Sequence, residues 1–278
     1  FKFHTYPQFN RIVNLPGKSI WLNHCFHFDF PEERPICFIF EMKYYNQDFF
    51  LNYLRKTYPN CKLVITFRDQ YERKKGRFKD LEIEDLFKKF DLVMSYDKGD
   101  CEKYNMIYFN LEASLKQLEK APDYPWSDVV FVGRAKGRIE RIIRAYDILS
   151  SAGLKCYFYV VGEKDVKHHG DIIFTDKIMP YEDMLNNTIN SRCVLELSQD
   201  GEYGFTSRAQ EAIMYNKKLI TDSLIVREQR FYPSKDILFI NDVNEINPEF
   251  VIDSSVVDYG YDGDYSPVRL IENIESHI

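Results

Sequence analysis

Short apolar runs alternate with longer amphipathic segments along most of this chain, and that alternation constrains its fold more than any other feature. Apolar runs of roughly four to eight residues, bounded by polar or turn residues, read as buried strands. The segments between them repeat apolar residues at helical spacing. Strands alternating with helices build a layered α/β fold around a mostly parallel sheet, because each crossover helix covers its apolar stripe against a sheet face. In the first half, strands are expected at Cys37 to Met42, Cys61 to Phe67, Asp91 to Tyr96 and Met106 to Phe109, with helices over residues 47–56 and 83–90. In the second half, strands are expected at Val129 to Val132, Cys156 to Val161, Ile172 to Thr175, Cys193 to Leu197, Lys218 to Thr221 and Ile237 to Ile240. Helices are expected there over residues 138–152, 181–189, 207–215 and 266–278.

The two halves meet at Ala121-Pro122-Asp123-Tyr124-Pro125-Trp126, where two prolines in four residues interrupt any helix. This sets the expected domains at residues 1–122 and 123–278, with the last helix free to pack back on the first. A chain of 278 residues accommodates two domains of ordinary size. Its net charge of −6 argues against nucleic acid as a main partner, since phosphate neutralisation needs clustered Lys and Arg. The six cysteines, Cys25, Cys37, Cys61, Cys101, Cys156 and Cys193, lack the close spacing of a zinc knuckle or redox pair, so reduced, buried thiols in the cytoplasm are expected. No signal peptide is apparent, and no apolar run reaches the ~18 residues that span a bilayer. The chain starts at Phe1 without Met, which leaves room for a preceding segment carrying a further strand.

Two segments carry the chemistry. Phe131-Val132-Gly133-Arg134-Ala135-Lys136-Gly137-Arg138 lies where a buried strand ends and a helix begins, the position at which open α/β sheets bind ligands. Gly133 and Gly137 permit a tight turn and a close approach of backbone to ligand. Arg134, Lys136 and Arg138 stand at the helix end that already favours anions, so dipole stabilisation does not explain them and a bound phosphate does.

The second segment runs from Gln199 to Ile213, again a strand leading through a loop, with Gly201 and Gly204, into a helix. Thr206 or Ser207 caps that helix, whose first amides suit a phosphate. Arg208 occupies the first turn, unfavourable for a cation unless an anion sits there. Glu211 follows three residues later on the same face, where a carboxylate accepts hydrogen bonds from two ribose hydroxyls.

The run from Gly133 to Leu149 resembles the start of the C-terminal domain of GT-B glycosyltransferases, with a Gly-Arg followed by a Lys-Gly. The run from Asp200 to Asp222, with Gly-x-Thr-x-Arg-x-x-Glu-Ala and then Lys-Lys-Leu-Ile-Thr, is similar to bacterial glycosyltransferases of capsule and lipopolysaccharide assembly. The likeness covers roughly residues 128–245. It implies two Rossmann-like domains facing across a cleft, and transfer of a sugar from a UDP- or GDP-linked donor to a glycan or lipid-linked acceptor without a metal. By that likeness Arg134, Lys136, Gly204, Thr206 and Arg208 bind the donor diphosphate and Glu211 the ribose. Lys177, Ile178 and Tyr181 fall where such enzymes hold the nucleobase. Retaining members often carry two glutamates separated by seven residues, but counting back from Glu211 reaches Tyr203. Asp200 and Glu202 are the nearby acids expected to face the donor sugar. The nucleotide sugar is a co-substrate, so no cofactor is implied. A lipid-linked acceptor would bring this cytoplasmic protein to the inner face of the membrane.

In the first half, His27, with His24 and Asp29 beside it, offers a general base for an acceptor hydroxyl. Arg68 and Asp69 follow the strand ending at Phe67 and compete for that role, as do Asp97 and Lys98. Asp262-Gly263-Asp264 reads as a turn rather than a metal motif, and His168-His169 as an exposed loop pair. No P-loop and no Gly-x-Gly-x-x-Gly occurs, so ATPases and NAD enzymes lack their phosphate cradle here. A nucleotide-binding protein without catalysis, or a nucleotide-sugar epimerase on the same fold, fits the same residues.

Overall fold

The structure, a computed structural model, describes residues 20, 22, 35–78, 80–116, 124–162 and 168–278. The described chain divides into two compact units, one ending at Phe109 and completed by Glu272–Ile278, the other spanning Asn110–Ile271.

In the first unit, strands β1 (Cys37–Glu41), β2 (Lys62–Phe67), β3 (Leu92–Ser95) and β4 (Ile107–Tyr108) form one parallel sheet in that order. Between β1 and β2 lies helix α1 (Asp48–Thr57), which buries Phe50, Leu51 and Leu54 at helical spacing. They pack with Leu63, Ile65 and Phe67 of β2 into the core of this unit. Helix α2 (Tyr71–Arg77) follows β2, and α3 (Ile83–Lys89) precedes β3. Helix α4 (Lys98–Tyr104) follows β3 and is capped by Asp97, whose side chain accepts from the Asp100 amide; Asn105, left-handed at φ 56°, ends it. Sequence periodicity misses α2 and α4, because each has seven mostly polar residues and buries only one side chain, Tyr71 in α2 and Asp100 in α4.

The second unit holds strands β5 (Ser127–Arg134), β6 (Cys156–Val161), β7 (Ile173–Thr175), β8 (Ser191–Glu196), β9 (Lys218–Thr221) and β10 (Ile237–Phe239). They form one parallel sheet in the order β10-β9-β8-β5-β6-β7. Numbered from β5, this is the 3-2-1-4-5-6 order of a dinucleotide-binding sheet, with its reversal between β5 and β8. The crossovers include α5 (Ile139–Ser151), α6 (Tyr181–Ile189) and α7 (Ser207–Met214). Helix α5 buries Ile142, Ala145, Tyr146 and Leu149 against Phe131 and Phe158 of the sheet. A short α8 (Pro248–Ile252) starts at an Asn247 cap, and α9 (Pro267–Glu275) spans the point where the units divide. Asn273 of α9 donates to the Tyr108 carbonyl at 2.9 Å within the first unit. The expected strands and helices all occur, with ends shifted by a few residues.

The thiols are free where described, but they are not all buried: Cys61 and Cys193 are, Cys101 and Cys156 are half-buried, and Cys37 is exposed on the edge strand β1.

Candidate functional site

In a sheet of this order the loops that follow β5 and β8 part in opposite directions, and the crevice left at their carboxyl ends is where ligands bind. Both motifs of the second half end there. Strand β8 delivers Glu196, fully buried at its last position. A buried carboxylate needs partners, and Glu196 accepts from the hydroxyls of Thr206 and, at 2.8 Å, Thr221. Burial pushes its carboxyl up, against the pull of Thr206 and of the Arg208 guanidinium. Thr206 is the N-cap of α7 and accepts from the Ala209 amide at 3.4 Å. One hydroxyl therefore serves the helix end and the buried acid together.

Arg208, in the first turn of α7, reaches across to β5. Its Nε donates to the Val132 carbonyl at 3.2 Å, and its guanidinium lies 5.1 Å from the centre of the Phe131 ring. Gly133 makes this approach possible: a Cβ at that position would stand 2.7 Å from Nη2 of Arg208. The two motifs are thereby brought together through one arginine. Beyond β5 the chain turns through Lys136 at φ 45° and Gly137 at φ 79° into α5. Arg134 and Lys136 are exposed on this turn.

Arg138 departs from the expected basic cluster. It is 5% exposed and donates to the carbonyls of Leu197, Arg134 (2.7 Å) and Ala135 (3.2 Å), tying the turn after β5 to the end of β8. Burial and the neighbouring Arg208 pull its guanidinium down to about 10, so it stays charged at neutral pH. Its cation organises the backbone of the crevice instead of facing a ligand.

Glu211 is 2% exposed, and neither carboxylate oxygen has a hydrogen-bond partner of ordinary geometry. Burial pushes its carboxyl up to about 7, opposed by the nearby Tyr181 hydroxyl and by Arg208. Buried acceptors without partners are rare and costly. Here such a carboxylate stands one turn from Arg208, with the Tyr181 hydroxyl near it.

The remaining predicted residues spread around this centre. Tyr181 opens α6 and is exposed, as is Ile178. Lys177 is exposed too, with its carbonyl accepting from the Tyr159 hydroxyl at 2.9 Å. Gly204 is buried, its carbonyl meeting the Ser223 hydroxyl at 3.5 Å. Asp200 is exposed on the loop after β8, and Glu202 is half-buried, accepting from the Gln199 amide at 3.2 Å. His24, His27 and Asp29 lie outside the described residues. Asp69 belongs to the first unit, where it pairs with Lys74 at 2.9 Å. Asp97 is buried as the cap of α4 and also accepts from Gln70 at 3.1 Å. Asp264 is held by Arg230 beside the turn at Gly263, φ 74°. His169 differs from the expected exposed pair: it is half-buried and bonded to Asp147 of α5 at 2.6 Å, while His168 is exposed. Among the described residues no three His, Cys, Asp or Glu side chains gather as a metal-binding group. No helix among them is long and apolar enough to cross a membrane.

Sequence reasoning missed Glu196. Its signal was there in Cys-Val-Leu-Glu-Leu, an acid inside an apolar strand, which needs a specific partner to be tolerated.

No family model matches the sequence, and no curated protein matches it. Solved structures do match in fold. An alpha-glucosyltransferase in complex with UDP and a 13-mer DNA containing a central A:G mismatch is 12% identical, with a TM-score of 0.56 over 87% of this chain and 79% of that one. TarM is 12% identical, with a TM-score of 0.54 over 93% of this chain and 57% of its own. A putative UDP-N-acetylglucosamine 2-epimerase from Listeria monocytogenes is 11% identical, with a TM-score of 0.52 over 96% of this chain and 79% of its own. The fold they share with this chain is that of the GT-B glycosyltransferases, an α/β fold with two Rossmann-like domains.

Proposed function

We propose that this protein is a glycosyltransferase that moves a sugar from a UDP- or GDP-linked donor onto a glycan or lipid-linked acceptor. The observation that carries the reading is Glu211, a buried carboxylate with no hydrogen bond of ordinary geometry and only the Tyr181 hydroxyl near it, one turn from Arg208 at the reversal of a 3-2-1-4-5-6 sheet. In this reading its two oxygens accept the ribose hydroxyls. The diphosphate lies against the start of α7, with Thr206, Gly204 and Arg208 on one side and Arg134 and Lys136 on the other. Lys177, Ile178 and Tyr181 border the nucleobase, and Asp200 or Glu202 meets the donor sugar.

Catalysis then rests on stabilising the departing diphosphate. Arg208 is pre-oriented by Val132 and Phe131, so it need not reorganise as charge develops. Arg134 and Lys136 add charge from a turn whose backbone is fixed by Arg138. The reading assigns these cations the role a metal plays elsewhere. It leaves His27, Asp29 and Asp69 as bases for the acceptor hydroxyl, and locates the protein in the cytoplasm.

Calorimetry with UDP, GDP and their sugars tests the proposal. Binding of a nucleoside diphosphate is expected, and Glu211→Ala should weaken it by about tenfold or more through the lost ribose bonds. Absence of binding by every nucleotide would overturn it. The epimerase among the structures of similar fold supports a second reading. It predicts turnover of the donor sugar with no acceptor present, whereas a transferase needs one.

A further inference from the structure

As a ribose acceptor Glu211 is out of reach in the free chain, because it is only 2% exposed. What covers it must move before a nucleotide can use it. Three side chains of the second unit act on this carboxylate, and two of them are engaged elsewhere. Arg208 donates to the Val132 carbonyl at 3.2 Å. Tyr215, one turn beyond Glu211 at the end of α7, has its hydroxyl on the Lys116 backbone. It accepts from that amide at 3.1 Å and donates to that carbonyl at 3.3 Å. The third is Tyr181, the first residue of α6 after Pro180. Its hydroxyl lies beside Glu211 without a hydrogen bond of ordinary geometry. Burial, followed by the Glu211 charge, pushes the Tyr181 phenol up, so it keeps its proton and meets the carboxylate as a donor. The residue as a whole is 59% exposed, so only its hydroxyl end is enclosed while most of the ring faces solvent. Tyr181 belongs to neither hydrophobic core, and its ring can turn without disrupting one.

We propose that Tyr181 is a gate on the ribose site: its hydroxyl stands in for a ribose hydroxyl at Glu211 in the free chain and swings away when a nucleoside diphosphate enters. The gate rests on the reading of Glu211 as the ribose acceptor. A phenol brings one donor in poor alignment, whereas ribose brings two hydroxyls, so the exchange favours the nucleotide. Opening has a cost, because affinity is reduced by the fraction of chains in which the carboxylate is free. It also discriminates. A nucleotide without ribose hydroxyls offers Glu211 nothing in exchange and leaves the gate closed, so the tyrosine favours ribonucleotides over deoxyribonucleotides.

The test is calorimetry on the full chain with UDP, GDP and their 2′,3′-dideoxy forms. Tyr181→Phe keeps the ring and removes the hydroxyl, and at this exposed position circular dichroism should be unchanged. The variant should bind the ribonucleotide about three- to tenfold more tightly than the parent chain does, and the dideoxy form no differently. Without any nucleotide, thermal melts supply a second reading. The hydroxyl holds the Glu211 carboxyl down against burial, so its removal should carry the loss of stability on raising pH to higher pH than in the parent. Unchanged or weaker ribonucleotide binding by Tyr181→Phe overturns the gate and leaves the ribose reading intact. An equal gain with the dideoxy forms also overturns it, since the hydroxyl would then obstruct the base or the diphosphate. Melts of parent and variant that coincide at every pH overturn the contact with Glu211. Absence of binding by parent and variant alike overturns the ribose reading itself, and the gate with it.

Discussion

Replacing Glu211 by glutamine keeps the shape of the side chain and removes its charge. In the folded chain its carboxyl sits at about 7, against an ordinary 4.5, and burial is the leading cause. The folded state therefore holds this proton more tightly than the unfolded state, so stability falls as pH rises from about 4.5 through about 7. Integrated over that window, ionisation of this one group costs about 3 kcal/mol at pH 8 but only about 1 kcal/mol at pH 5.5. Glutamine carries no such dependence. Any cost of burying its amide is the same at both values, so it cancels when the two are compared. Relative to the variant, the parent chain should lose about 2 kcal/mol between pH 5.5 and pH 8, on the order of 4–8 °C in Tm for a unit of this size. Thermal melts of both proteins across that range measure it directly. Nucleotide binding should release a proton near neutral pH, because two ribose hydroxyls favour the ionised form; calorimetry in two buffers of different ionisation enthalpy detects it. Parallel melting curves for parent and variant at both pH values would refute the reasoning, since they would mean that Glu211 titrates as if exposed.

Three further predictions follow from single contacts. Gly133→Ala forces a Cβ against Nη2 of Arg208; the guanidinium can swing away, so stability should fall by only about 1 kcal/mol while nucleotide affinity drops about tenfold, as read by melts and calorimetry. Glu196→Gln replaces an acceptor of two hydroxyls by one that satisfies them less well; a loss of about 1–3 kcal/mol is expected from chemical denaturation, with weaker nucleotide binding because Thr206 is no longer held. Asp100 in α4 is buried, accepts from the Tyr71 amide at 2.7 Å and from Ser95 at 3.1 Å, and has its carboxyl pushed up to about 6, chiefly by burial. Its folded value lies above its ordinary 3.8, so the first unit should lose stability as pH rises from about 4 through about 6; in Asp100→Asn that slope in the denaturation midpoint should disappear.

Much of the architecture was legible before any tertiary contact was known. Strand and helix identities depend on side-chain periodicity, which is local, and the apolar runs from Cys37 to Ile240 are long enough to declare it. The ends of β5 and β8 were also legible as candidate sites, since glycines and cations at the helix starts stand out without any knowledge of the sheet. Helices α2 and α4 escaped because seven mostly polar residues carry too little pattern. Strand order, the reversal between β5 and β8, and the meeting of Arg208 with Phe131 and Gly133 depend on residues some 75 positions apart.

Tertiary structure alone also decided which charged groups do what. Arg138, Arg134 and Lys136 look equivalent as a basic run, yet only Arg138 is drawn inward, because the carbonyls at the ends of β5 and β8 need a donor. Glu196 and Glu211 are both buried acids near Arg208; the first is answered by two threonine hydroxyls, while the second has only the Tyr181 hydroxyl near it and no hydrogen bond of ordinary geometry. A sequence determines which groups are present and the local elements that carry them. Whether a buried polar group finds its partner in the chain or must take it from a ligand is settled by desolvation and by geometry assembled from distant segments.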